Sequence, residues 1–206
     1  LADGGGAELQ RVGQFFQVHK ASGKMPIFPC GCLCCTYIAR NSLSFILYSN
    51  PKKINGKGLE EMSQKLKIGV FGGFRGKTMI HVLLNHPEAE LVAVCDKYQP
   101  LLDEVPKEAD EKGAAITCYH NFEDFIRHDM DAVVLANYAN EHGTYAVRCL
   151  RAGKHVLSEV LPCETMAQAV ELIEAVEETG LVYAYAENYC YMKHTFEMWR
   201  LSLIHI

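Results

Sequence analysis

Long apolar runs are missing from this 206-residue chain. No stretch approaches the roughly 18 consecutive apolar residues that read as a membrane-spanning helix. A basic excess is missing too. The formal net charge is −5, which argues against a nucleic-acid partner, since such binders present clustered positive charge. There is no cysteine pattern that reads as a disulfide frame. Of nine cysteines, Cys95, Cys118, Cys149, Cys163 and Cys190 stand singly, mostly in apolar surroundings. Scattered thiols of this kind point to reduced cysteines and a cytoplasmic setting. What is present is ordinary globular composition. At 49% hydrophobic residues the chain has enough apolar material for one domain, or one domain plus a fragment.

The two ends of the chain differ from its middle. Residues 1–61 hold 7 Lys+Arg against 4 Asp+Glu, a balance of +3, whereas residues 62–206 hold 13 against 21, a balance of −8. Residues 1–61 show no sustained helical or strand period, because Gly4-Gly5-Gly6, Pro26, Pro29, Gly31, Pro51, Gly56 and Gly58 interrupt every apolar run. Cys32-x-x-Cys35 lacks a second pair or a nearby histidine, so it does not complete a four-ligand metal site. The expectation is that Met62 opens the protein and that 1–61 is upstream sequence outside any domain. Leu201-Ser202-Leu203-Ile204-His205-Ile206 departs from the preceding pattern and reads as an artefactual tail.

Residues 62–200 alternate regularly. Strands are expected at 66–71, 91–95, 116–119, 131–136, 155–158 and 181–185, and helices at 77–86, 100–112, 122–128, 141–152 and 165–179. The strand runs are short, apolar and β-branched, as in sheets covered on both faces. Gly153 and Gly180 stand where left-handed C-terminal residues fit. Thr165 and Gln168 have capping-box spacing. Ala169, Leu172, Ile173 and Val176 form one helical stripe, with Glu171, Glu174, Glu177 and Glu178 mostly outside it. The alternation predicts right-handed crossovers and a doubly wound parallel sheet of the Rossmann-like α/β class. Its ligand crevice lies at the carboxyl ends of the strands.

The most informative segment is Lys67-Ile68-Gly69-Val70-Phe71-Gly72-Gly73-Phe74-Arg75-Gly76, a buried strand running through a glycine turn into a helix. Glycines let the backbone approach a pyrophosphate, and free amides at the helix start attract its charge. Phe71 stands where the usual G-x-G-x-x-G spacing has its first glycine, so Gly72 is expected to make the tight turn. Arg75 could pair with a phosphate oxygen or could be a solvated loop arginine. Twenty positions after Gly76, a second apolar run ends in Asp96. A carboxylate there can accept hydrogen bonds from a ribose diol and would repel a 2′-phosphate, which favours NAD over NADP. Lys97 weakens that preference, and a plain strand-end turn residue is the alternative.

Ala132-Val133-Val134-Leu135-Ala136 runs into Asn137-Tyr138-Ala139-Asn140-Glu141-His142, and Ala152-Gly153-Lys154-His155-Val156-Leu157-Ser158 runs into Glu159. Together with Asn85 to Asp96, this order resembles the Gfo/Idh/MocA family of nicotinamide-dependent sugar oxidoreductases over about residues 66–192. The resemblance implies a dinucleotide domain at 62–188. Residues 189–206 would then begin a truncated second α/β domain, through which a homo-oligomer could form. It implies NAD as cofactor and a small carbohydrate substrate. It also implies cofactor contacts from Gly72, Gly73, Phe74, Arg75, Gly76, Asp96, Asn137, Tyr138, His142, Glu159 and Asn188. Family members usually have Thr-Pro where Asn137 and Tyr138 stand, and His142 matches a cofactor-lining histidine.

After the fifth strand the family usually has Glu-Lys-Pro, with the lysine assisting proton transfer. Glu159 matches the glutamate, but Val160 occupies the lysine position and cannot carry a proton. No catalytic residue is therefore assigned. One reading places the acid–base group on the second domain. Another follows a likeness of Ser158-Glu159-Val160 and Ala186-Glu187-Asn188-Tyr189 to NAD-dependent retaining α-N-acetylgalactosaminidases, although the proline here falls one place late, at Pro162. A third is a non-catalytic cofactor sensor. His81, His86, His120, His128, His155 and His194 show no metal-ligand spacing, and no metal is expected.

Overall fold

The structure is a computed structural model that describes residues 65–187 and 192–204. The expectations for residues 1–61, the Cys32-x-x-Cys35 pair, Asn188 and Tyr189 lie outside the described residues. Six strands form one parallel sheet: β1 (Leu66–Phe71), β2 (Ala89–Cys95), β3 (Thr117–Tyr119), β4 (Ala132–Leu135), β5 (His155–Ser158) and β6 (Tyr183–Tyr185). Their order is β3-β2-β1-β4-β5-β6, and every pairing is parallel. The order reverses between β1 and β4, which is where a doubly wound sheet opens its ligand crevice.

Successive strand residues feed opposite faces. Ala132 and Val134 of β4 pack with Leu66, Ile68 and Val70 of β1 under α1 (Lys77–Leu84) and α2 (Gln99–Glu111). Val133 and Leu135 face the other way, onto α3 (Phe122–Phe125), α4 (His142–Arg151) and α5 (Met166–Thr179). All four residues of β4 are buried, which is why the strand reads as an unbroken apolar run. Gly69 has no side chain because Met130 and Phe125 fill its place; a Cβ there would lie 2.5 Å from Met130 Sδ and 2.7 Å from Phe125 Cζ.

The expected punctuation is present. Thr165 caps α5 in a reciprocal box with Gln168, and Gly180 ends the helix at φ +63°. Gly153 follows α4 at φ +79°. The expected helix 122–128 stops at Phe125: the His128 amide closes back on the Phe125 carbonyl, and its ring bonds Tyr119 Oη at 2.8 Å. The sixth strand begins at Tyr183 rather than 181, because the Val182 amide donates to His155 Nδ1. A helix not anticipated from the sequence, α6 (Lys193–Ile204), takes in Leu201–Ile204. No helix among the described residues is long and apolar enough to cross a membrane.

Candidate dinucleotide site

The glycine turn lies on the carboxyl rim of β1, against the end of β4. Gly72 takes φ +89°, and a Cβ there would sit 2.4 Å from the Ala136 carbonyl and the Asn137 nitrogen. Only glycine permits both the backbone angle and this approach. Its amide donates to the Cys95 carbonyl at 2.9 Å, and its carbonyl accepts from the Gly76 amide at 2.8 Å. Gly72 thus makes the tight turn. Phe71, at the end of β1, packs instead against Phe122 and Tyr145, with ring centroids 5.0 and 4.7 Å away. Gly73 and Gly76 are fixed by packing: a Cβ on Gly73 would meet Leu101 at 2.6 Å, and one on Gly76 would meet Val70 at 2.8 Å. No side chain caps α1 at Gly76. The first turn of this helix therefore presents amides without a side-chain acceptor, a setting that favours an anion.

Asp96 stands at the end of β2 and ties two turns together. Its Oδ2 accepts the Phe74 amide and its Oδ1 accepts the Tyr98 amide, both at 2.9 Å. Both sequence readings of Asp96 thus remain compatible with the geometry. It is a turn-forming residue, and each carboxylate oxygen keeps acceptor capacity for a further donor. The exposed rings of Phe74 and Tyr98 meet edge to face at 6.0 Å beside it. The bond to the Tyr98 amide is that of a strand-end turn Asp96-Lys97-Tyr98, the alternative that stood beside ribose contact.

Across the rim, Arg75 Nε lies 3.2 Å from Glu159 Oε2. Neither alternative considered for Arg75 foresaw this partner. Asn137 donates through Nδ2 to Glu141 Oε2 at 3.1 Å, while its Oδ1 is buried without a hydrogen-bond partner. Tyr138 is 75% exposed. His142 has no exposed surface; its Nδ1 sits 2.8 Å from the Leu161 carbonyl, and its Nε2 is buried without a hydrogen-bond partner. The Leu161 contact braces the loop after β5, where Val160 and Leu161 are exposed. Beneath the turn, burial pushes the Cys95 thiol up to about 12, so it is an unreactive core group rather than a nucleophile. Among the described residues no group of three or more His, Cys, Asp or Glu side chains could hold a metal ion.

Residues 66–187 match the Gfo/Idh/MocA profile, described as an oxidoreductase family with an NAD-binding Rossmann fold. The chain belongs to the Gfo/Idh/MocA oxidoreductase family. It is 31% identical over 135 residues to a glycosyl hydrolase family 109 protein of Solibacter usitatus, covering 61% of this chain and 31% of that protein. It is 30% identical over 131 residues to 4-carboxy-2-hydroxymuconate-6-semialdehyde dehydrogenase of a Sphingobium species, covering 63% and 38%. Among solved structures, scyllo-inositol dehydrogenase from Lactobacillus casei with bound NAD(H) and scyllo-inositol superposes with a TM-score of 0.52. The identity is 27%, and coverage is 59% of this chain and 36% of that one. The chain spans about a third of the length of the curated relatives it matches. The match places the six-stranded sheet and its glycine turn in the NAD-binding domain of this family.

Proposed function

We propose that the chain is the cofactor-holding part of an enzyme that moves hydride between NAD and a hydroxyl of a sugar or cyclitol. The observation that carries this reading is the pairing of Gly72, Gly73 and Gly76 with Asp96 at one rim of the sheet. The glycine backbone leaves room for a pyrophosphate at the start of α1, and the Asp96 oxygens can accept from a ribose diol. A carboxylate in that place disfavours a 2′-phosphate, so NAD is preferred to NADP. Phe74, Arg75, Asn137 and Tyr138 complete the proposed contact set, and Glu159 borders it through its ion pair with Arg75. His142 acts as a positioning residue through Leu161. Bound NAD would supply the hydride acceptor. The unpaired Asn137 Oδ1 would accept from a cofactor donor over β4. Free Cys95, Cys118, Cys149 and Cys163 support a reducing, cytoplasmic setting.

A second reading is favoured by Val160. An aliphatic side chain can neither donate nor accept a proton, so the lysine-assisted proton transfer usual in the family has no counterpart at this position, as in the lysine-less branch that the glycosidases represent. Glycosyl hydrolase family 109 proteins are among the relatives, and NAD-dependent glycosidases depart from the two-carboxylate scheme. On that reading the enzyme cleaves a glycoside by transient oxidation and elimination, with no net change in the cofactor.

The full-length protein, assayed with NAD against free sugars and against aryl glycosides, separates the readings. Steady NADH formation from a free sugar supports the first, and aryl release without net NADH supports the second. NAD binding with neither activity would identify a sensor and overturn both.

A further inference from the structure

Registers at the carboxyl rim put Phe71 of β1 beside Leu135 of β4, and Leu135 beside Ser158 of β5. Neighbouring strands are about 4.8 Å apart, so the β1 and β5 ends are separated by roughly 10 Å. The Arg75–Glu159 ion pair covers that span. It runs from the residue before Gly76 to the residue after β5, over the end of β4 where Asn137 and Tyr138 lie. With Asp96 fixing the adenosine side at β2 and the α1 N-terminus holding the pyrophosphate, the nicotinamide half has to pass over β4 toward β5. The ion pair crosses that path. Lys77, next to the helix start, pairs with Glu104 at 2.8 Å.

We propose that Arg75 and Glu159 form a strut across the nicotinamide half of the crevice, and that cofactor binding opens it by transferring Arg75 to a phosphate oxygen. This rests on the dinucleotide reading above. The two side chains differ in exposure, 75% for Arg75 and 34% for Glu159. Arg75 is therefore the partner free to swing, while Glu159 stays anchored through its amide, which donates to the Leu135 carbonyl at 2.9 Å. An exposed ion pair of this kind is weak, so the strut delays and discriminates rather than blocks.

The test is a double-mutant cycle on the full-length protein, with NAD affinity measured by calorimetry for wild type, Glu159→Gln, Arg75→Ala and the double variant. The strut predicts that Glu159→Gln tightens NAD binding about two- to fivefold, the range of an exposed ion pair. In the Arg75→Ala background the same change leaves affinity unaltered, because no partner remains to be released. Equal tightening in both backgrounds would mean plain charge removal and would overturn the strut. Weaker or unchanged binding in Glu159→Gln would overturn it as well, while leaving the dinucleotide site intact. A wild-type protein that takes up no NAD would end the underlying reading and the strut with it. Thermal melts of the four proteins report whether any variant has lost its fold.

Discussion

The Asp96 carboxylate bridges the amides of Phe74 and Tyr98, one from each oxygen and both at 2.9 Å. One side chain thereby sets the spacing between the glycine turn and the turn after β2 before any ligand arrives. Asparagine has only one oxygen acceptor, so Asp96→Asn keeps at most one of the two bonds, and alanine keeps neither. Amide exchange at Phe74 and Tyr98 should accelerate at one position in Asp96→Asn and at both in Asp96→Ala. Global stability should fall by about 1–3 kcal/mol in the alanine variant. Hydrogen exchange resolved by residue, with a urea titration, checks both statements.

Gly72 carries two constraints at once, and Gly180 carries one. Both have positive φ, but a Cβ on Gly72 would strike the Ala136 backbone at 2.4 Å, whereas one on Gly180 meets nothing within 4 Å. Gly180→Ala should cost about 1–2 kcal/mol, the cost of the left-handed angle alone. Gly72→Ala should cost clearly more, because the end of β4 has to move as well. Paired thermal melts that rank Gly180→Ala as the worse variant would contradict this placement of the turn.

Burial separates the thiols. It pushes Cys95 up to about 12 and raises Cys149 as well. Cys118 and Cys163 are raised by burial too, but they lie nearer solvent. Site-resolved alkylation at pH 8 should therefore modify Cys118 and Cys163 before Cys95 and Cys149. Raising the pH to 9 should speed the first pair and leave Cys95 almost untouched. The stability consequence has a definite sign. The unfolded Cys95 ionises near the ordinary thiol value of 9.0 while the folded one holds its proton. This group's contribution is thus complete below pH 9 and is lost between pH 9 and about 12.

Much of the fold was legible because the strands are buried on both faces and so appear as continuous apolar runs. β5 falls on the expected residues 155–158, and the α5 capping box was visible as Thr165 and Gln168. Features that depend on distant partners were not legible. The late start of β6 depends on a bond from Val182 to His155, 27 residues away. The short α3 depends on the turn that sets His128 against Tyr119. At the site, local spacing gave the glycine turn and Asp96. It could not give the Arg75–Glu159 pair, whose members lie 84 residues apart. Nor could it show that His142, matched by resemblance to a cofactor-lining position, would sit wholly beneath the Leu161 carbonyl.

The most direct test of the central claim is a calorimetric titration of NAD into the full-length protein and its Asp96→Ala variant. A grip formed by the glycine turn and the β2 carboxylate predicts saturable one-site uptake by the wild type. The variant should bind about tenfold or more weakly, the scale of a lost charged hydrogen bond. No uptake by the wild type, or the same affinity in both proteins, would contradict it.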